Sequence, residues 1–438
     1  MLSWVKKLSI DPSLLRVNPA FRSLFWGRLI SIFVLSMLTV SINVQVYQLT
    51  GSSLQVALVN TVLGVSSVFG SLVGGVLADR YDRRSLILIT RSATLACFVG
   101  LALNAGANGI SLAWIYGLCA LNAAFGSASA AAFGAAIPSV VPASQLPAAA
   151  SLMALALDLG VVFAPALAGY IIAFFSLAAV FWILVLLSAL SLLVLAGLPR
   201  LVPQQLQTGN RDTAAAPTQP KLALRALKST AAELAQSLAF TRANRVVAAI
   251  LFLGLIQILC ASPHVLIPEL VNQHFGGSSD QVGLMYSAPA LGALVAGLMS
   301  GWVSSYPHLG FLVGLLFICS ACGILLLGLA SNLLFALAIM VLVGALDVMT
   351  EIVRFTIISE QTPDRLRGKI TSLWQIQLTV GDALGGPALS LLAKLVGAAP
   401  AIALGGALAA LLSAGCLLTN KELRNYTYPA SKTQLEEK

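Results

Sequence analysis

The sequence predicts an all-α membrane protein of twelve transmembrane helices arranged as two pseudo-symmetric six-helix bundles. Three observations carry this prediction. Apolar runs of spanning length recur from one end of the chain to the other, a single long polar stretch divides them six and six, and the basic residues fall on alternate connections.

The first observation rests on composition. Of 438 residues 58% are hydrophobic and 9% charged, and the mean hydropathy is +0.92, whereas a soluble domain carries roughly 25% charged residues. Crossing a hydrocarbon core of roughly 30 Å takes about 20 apolar residues. Runs of that kind cover residues 22–47, 55–78, 86–105, 111–136, 147–172, 178–198, 246–271, 281–303, 309–330, 333–358, 370–394 and 400–419. Residues 1–21 are basic and interrupted by Pro12 and Pro19, and the run that follows has full spanning length. They read as a cytoplasmic lead-in, not a cleaved signal.

The second observation sets the domain organisation: a segment 1–21, a bundle 22–198, a linker 199–245, a bundle 246–419 and a tail 420–438. The linker opens with Pro199 and Pro203 and passes through Pro217 and Pro220, as flexible connections do. From Lys221 to Arg242, basic residues alternate with Leu and Ala at helical spacing, which predicts an amphipathic helix on the membrane surface. An offset of 221 between the halves superposes Pro142 on Pro363, Ser151-Leu152 on Ser372-Leu373 and Gly160 on Gly381. Repeated bundles with a substrate site at the repeat interface are a common plan for secondary transporters. The chain has no G-x-x-x-x-G-K-S/T loop for nucleotide phosphates, so the energy is expected from an ion gradient, or transport is passive. No nucleophile with a positioned base appears, which speaks against an enzyme.

The third observation orients the chain. Lys6, Lys7, Arg16 and Arg22 precede the first span, Arg80, Arg83 and Arg84 follow the second, and Arg365, Arg367 and Lys369 follow the tenth. The linker and tail are basic too, while the opposite connections carry no Lys or Arg and only Lys394 departs from the pattern. The positive-inside rule places both termini in the cytoplasm. The net charge of +9 is then accounted for by anionic inner-leaflet lipid, with no nucleic-acid partner. The six cysteines lie inside apolar runs and read as packing residues, and His264, His274 and His308 are too scattered for a metal. No cofactor is expected.

Ionisable residues well inside the spans are few, and they include Arg28 in the first, Asp158 in the fifth, Asp347, Glu351 and Arg354 in the tenth and Asp382 in the eleventh. Each costs about 2.5–3.5 kcal/mol near the bilayer centre on insertion scales, so each should face a cavity or a partner. Asp347, Glu351 and Arg354 are four and three residues apart, hence on one face. A carboxyl group able to take and release a proton there could couple transport to a proton gradient, and Asp158, Asp347 and Glu351 are the candidates. The alternative for the tenth span is an intrahelical Glu351–Arg354 pair that merely neutralises buried charge. Arg28, Arg354 and Asp382 are candidates to line a substrate cavity, with Trp374 and Tyr286 placed to stack on a ring. Arg91 and Lys394, near span ends, read as snorkelling structural residues.

Two motifs bring a family resemblance. After the second span the chain reads Gly74-Gly75-Val76-Leu77-Ala78-Asp79-Arg80-Tyr81-Asp82-Arg83-Arg84, which resembles the G-x-L-x-D-R-x-G-R-K/R loop of the major facilitator superfamily. The resemblance implies a major facilitator fold and a cytoplasmic latch made by Gly75, Asp79, Arg80 and Arg83, although Asp82 stands where the family has Gly. Small residues at 74 and 75 would permit close helix approach, and Asp79 would answer a helix N-terminal dipole. In the fifth span, Gly160, Pro165 and Gly169 resemble the antiporter motif G-x-x-x-G-P-x-x-G-G, with Ala164 and Ala168 replacing two glycines. That motif goes with exporters of the drug/proton antiporter type. One departure is Asn122, four residues before Gly126, where many proton antiporters of the superfamily carry Arg; Asn122 is kept as a cavity residue.

The stretch Asn18-Pro19-Ala20-Phe21-Arg22-Ser23-Leu24-Phe25, with Arg28 and Ile30-Ser31, is similar to the enterobactin exporter group. The resemblance implies export of a siderophore across the bacterial inner membrane. The alternatives are a macrolide or multidrug efflux pump of the same fold and, from another class, a transport-inactive partner of a membrane enzyme. Because one chain contains both bundles, a monomer is expected.

Overall fold

The computed structural model describes residues 13–106, 111–201 and 239–427. The amphipathic helix expected after Lys221 lies almost wholly outside them. Twelve helices long and apolar enough to cross a membrane are present, and the described residues contain no strand. In chain order the spans are built by α1 (Pro19–Thr50), α2 (Ser53–Arg80), α3 (Arg83–Gly106), α4 (Leu112–Val140), α5 (Leu146–Phe174), α6 (Leu177–Ala196), α7 (Arg245–Cys260, continued by shorter turns to His274), α8 (Ser279–Leu298), α9 (Leu309–Gly328), α10 (Leu333–Gln361), α11 (Asp364–Val396) and α12 (Ala398–Thr419). The expected spans are all found, mostly a few residues longer, because a helix continues past the hydrocarbon wherever its polar ends remain helical.

Local chemistry sets several of these ends. Asn18 caps α1: its Oδ1 accepts from Phe21 N at 3.0 Å and its Nδ2 donates to Val140 O at 2.9 Å, while Pro19 occupies the first helical position, where a missing N–H costs nothing. Ser176, Asn244 and Asn332 cap α6, α7 and α10 in the same way.

The seventh span is not the single helix expected. Past Cys260 it breaks into a 3₁₀ turn (Pro263–Leu266), a helical turn (Ile267–Glu269) and a π turn (Leu270–His274). Pro263 and Pro268 lack the N–H that would continue the ladder, and the Tyr286 hydroxyl donates to the His264 carbonyl at 2.6 Å, as a broken span in lipid requires. The eighth span likewise stops as α-helix at Leu298 and turns 3₁₀ over Ser300–Ser305.

The described residues pack as two compact units, the first within Met1–Thr50, Val62–Ala216 and Ser279–Gly283, the second within Gly51–Thr61, Pro217–Ser278 and Leu284–Lys438. Leu24, Ile87, Phe133 and Leu195 are buried together in the first, with Phe21, Ile32, Leu152 and Ala156 in a neighbouring cluster. In the second, Val247, Ile250, Val313, Phe317, Val353, Ile357 and Trp374 form a core. Lipid tails are as apolar as Leu, so close packing holds such helices together more than exclusion from water does. α6 illustrates the point: it is apolar on every side, buries Val180, Phe181, Leu184 and Leu195, and leaves Leu186 and Leu193 exposed.

Several glycines sit at close helix contacts. A Cβ on Gly74 of α2 would overlap Ala128 of α4. In the second unit α8 and α10 cross at a reciprocal pair, where a Cβ on Gly292 would collide with the Val341 carbonyl and one on Gly344 with the Pro289 carbonyl. Gly75 meets nothing within 4 Å, so within the described structure Gly74, not Gly75, provides the close contact expected of the pair.

Candidate functional site

α10 carries the strip of charges, and the structure gives each a different setting. Asp347 and Glu351 lie inside the span yet are exposed residues, whereas Arg354 is buried. Ser320 of α9 donates to Asp347 Oδ1 at 2.6 Å, and Gln257 Nε2 of α7 donates to Ser320 Oγ at 2.8 Å. Three helices thus hold one carboxylate through a donor chain. Glu351 and Arg354 do not form the ion pair their spacing allows; among the described residues the one ion pair is Arg245–Glu422, at 3.3 Å and exposed. The Arg354 guanidinium instead lies 4.7 Å from the Trp374 ring centroid and 5.5 Å from that of Phe317. A buried cation–π contact is worth about 2 kcal/mol, which explains why the side chain turns to the rings, leaving Glu351 to act on it only at longer range.

Asp382, also exposed, sits on α11 near enough to His264 to interact electrostatically. The Tyr286 ring stacks on His264, with centroids 6.4 Å apart and an interplanar angle of 14°. Tyr286, Asp382 and His264 therefore form one group at the break in the seventh span, while Trp374 belongs with Arg354. The structure does not bring the expected second-half residues into a single cluster.

In the first unit Asp158 is exposed midway along α5, Arg28 is half-buried on α1, and Asn122 is buried on α4 with its Nδ2 unpaired among the described residues. Arg91 is close enough to Arg28 to feel its charge, and its guanidinium lies 5.4 Å from the Phe133 ring centroid. α5 is seated by its motif glycines. A Cβ on Gly160 would overlap Ile32 of α1, and one on Gly169 would lie 2.6 Å from the Ser279 carbonyl and 2.7 Å from Gly283 Cα. Pro165 lies inside the helix between them.

The described residues hold no group of three or more His, Cys, Asp or Glu able to bind a metal. The model of the Major Facilitator Superfamily matches residues 24–263 and 250–437. The chain belongs to that superfamily. An enterobactin exporter of Citrobacter koseri is 32% identical over 428 residues, covering 98% of this chain and 97% of that protein. One from Escherichia coli O139:H28 is 33% identical over 383 residues, covering 87% and 86%. A solved D-xylose–proton symporter superposes with a TM-score of 0.68 at 15% identity, covering 93% of this chain and 99% of that one. At that identity the likeness speaks for the fold alone. The chain is a multi-pass membrane transporter of a small molecule, not an enzyme.

The superfamily's signature loop is built here in a way its sequence did not announce. Asp82 caps α3, accepting from Ser85 N at 3.2 Å and Ser85 Oγ at 2.8 Å on one oxygen, and from Leu201 N at 2.7 Å on the other. Arg83 N donates to Leu201 O at 3.2 Å, Arg84 Nη2 to Ala196 O at 2.8 Å, and Arg83 Nη1 to the Ser139 hydroxyl. The residue that replaces the family's Gly thus ties the loop to the root of the linker, while Asp79 and Arg80 stay exposed. Partial burial raises the Asp82 carboxyl, but the hydrogen bonds from Ser85 and Leu201 outweigh it and hold the group below its ordinary value. Its stabilisation is therefore present above about pH 4 and is lost as pH falls through the lowered value. Asp82→Ala should cost about 1 kcal/mol, the worth of an N-cap. Thermal unfolding in detergent should show the gap to wild type narrowing as the medium is acidified below that pH.

Sequence reasoning did not select Ser320, Gln257 or Phe317, and it left His264 out of the candidate site. All but His264 are neutral, so no insertion cost marks them, and each matters only through a residue on another helix.

Proposed function

We propose that the chain exports a siderophore-type small organic molecule across the bacterial inner membrane by proton antiport and alternating access, acting as a monomer with both termini in the cytoplasm. The observation that carries this reading is the pairing of enterobactin exporters as near-full-length relatives with exposed acidic residues inside the spans. A carboxylate held in lipid has no gain to offset its insertion cost, whereas one facing a water-filled cavity can exchange protons. Asp158, Asp347 and Glu351 carry the proton. Arg28, Asn122, Arg354, Asp382, Trp374 and Tyr286 meet the cargo, and Gly75, Asp79, Arg80 and Arg83 latch the cytoplasmic side. The antiporter motif Gly160, Pro165 and Gly169 gives α5 the close seats on its neighbours that an exporter's bending helix needs.

The test compares the small molecules in medium and cells of a clean deletion strain and its parent, grown with and without iron. The expected result is an intact siderophore depleted from the mutant's medium and retained in its cells, restored by the wild-type gene. An unchanged siderophore profile would remove that cargo.

A further inference from the structure

Arg354 poses a problem that its neighbours do not solve. The residue is 6% exposed, and two of its nitrogens, Nε and Nη2, have no hydrogen-bond partner among the described residues. Those two atoms form one edge of the guanidinium, the edge that presents two parallel N–H bonds to a carboxylate or phosphate. The flanking rings of Trp374 and Phe317 answer its charge but accept no in-plane hydrogen bond. Leaving such donors buried and unmet is expensive.

The surroundings add donors. Trp374 Nε1 and both amide atoms of Gln377 are also buried and unpaired among the described residues. Gln377 Nε2 lies 2.7 Å, and the Arg354 guanidinium carbon 2.8 Å, from the point a Cβ on Gly254 would occupy. The two polar groups therefore lie side by side against α7, in space that only a glycine leaves open. Arginine, tryptophan and glutamine bring N–H groups to one place, and the single acceptor they contribute is the Gln377 carbonyl.

We propose that this cluster is an oxyanion subsite, in which the Nε–Nη2 edge of Arg354 takes a planar carboxylate-class group of the transported molecule and Gln377 and Trp374 add donors beside it. The proposal rests on the export reading and gives it a chemistry: the cargo enters the second unit acid group first. Arg354 and Gln377 are binding residues, Trp374 both flanks the cation and donates, and Gly254 makes the room.

The test is a saturation-transfer NMR titration of the full-length protein in lipid nanodiscs, with benzoate as probe and benzamide as its uncharged counterpart. Benzoate should bind saturably and benzamide should not. Arg354→Lys should weaken benzoate at least ~10-fold, because an ammonium keeps the charge but loses the paired edge. Gln377→Leu, which changes no charge, should weaken it less and carries the test if the arginine variant does not insert. Thermal transitions matching wild type without probe identify the folded variants. Equal binding of benzoate and benzamide, or wild-type binding in folded Arg354→Lys, overturns the subsite. Benzoate binding lost in a variant that still exports its cargo normally overturns its role in cargo recognition. Binding as expected in a protein that exports nothing overturns the export reading and leaves the oxyanion site standing.

Discussion

Asp347→Asn is expected to abolish gradient-driven export while leaving the protein folded and able to exchange cargo across the membrane. The substitution keeps an oxygen to accept from Ser320 at the 2.6 Å contact, so the link through Ser320 to Gln257 survives and the α9–α10 packing is preserved. What disappears is the ability to take and release a proton. One charge moved across the membrane supplies about 2.3 kcal/mol per 100 mV, which sustains roughly a 50-fold accumulation ratio. Everted vesicles under an imposed proton gradient should lose that accumulation, while exchange of labelled for unlabelled cargo continues. If accumulation persists, the proton travels through Asp158 or Glu351 instead. If exchange fails as well, Asp347 contacts the cargo.

The second large effect is structural. Gly344→Leu should separate α8 from α10, because the new side chain would drive into the Pro289 carbonyl. Overpacking in a core that can adjust costs about 1–3 kcal/mol. Here the obstacle is main chain, which cannot change rotamer, so the whole helix must move. A loss at or above the upper end of that range is expected, at about 2–4 °C of melting temperature per kcal/mol. The displacement would be felt at Asp347, one turn along the same helix. Gly415→Leu on α12 is the control, since nothing lies within 4 Å of its added Cβ. Fluorescence-detected size exclusion after heating measures both variants. A Gly344→Leu protein as heat-stable as the Gly415→Leu protein would show that the reciprocal crossing does not hold the second unit together.

Most of the fold was legible in the sequence. Pro263 and Pro268 were visible too, yet the seventh span was expected to run unbroken, because a proline can kink a transmembrane helix or end it. The Tyr286 hydroxyl on the freed His264 carbonyl is a contact from another helix. The candidate site was legible as a set of charges, since an ionisable residue within an apolar run stands out against its cost of insertion. Their partnerships were not. The four- and three-residue spacing of Asp347, Glu351 and Arg354 put them on one face, and the local rule offered a Glu351–Arg354 pair. The aromatic rings of Trp374 and Phe317, on α11 and α9, drew the guanidinium away instead. Asp82 was noticed as a departure from a pattern, and only the proximity of Leu201 gives it a purpose.

The sequence by itself determined the number of spans, their order, their division into two sets of six and which residues pay to be in the membrane. Each of these follows from the composition of a continuous stretch, a property that needs no neighbour. Tertiary structure decided which glycines are contacts, which donors hold Asp347, and why Arg354 turns to the rings of Trp374 and Phe317. Those depend on which helix faces meet, and in lipid, where every apolar face is equally at ease, close packing and polar contacts make that choice.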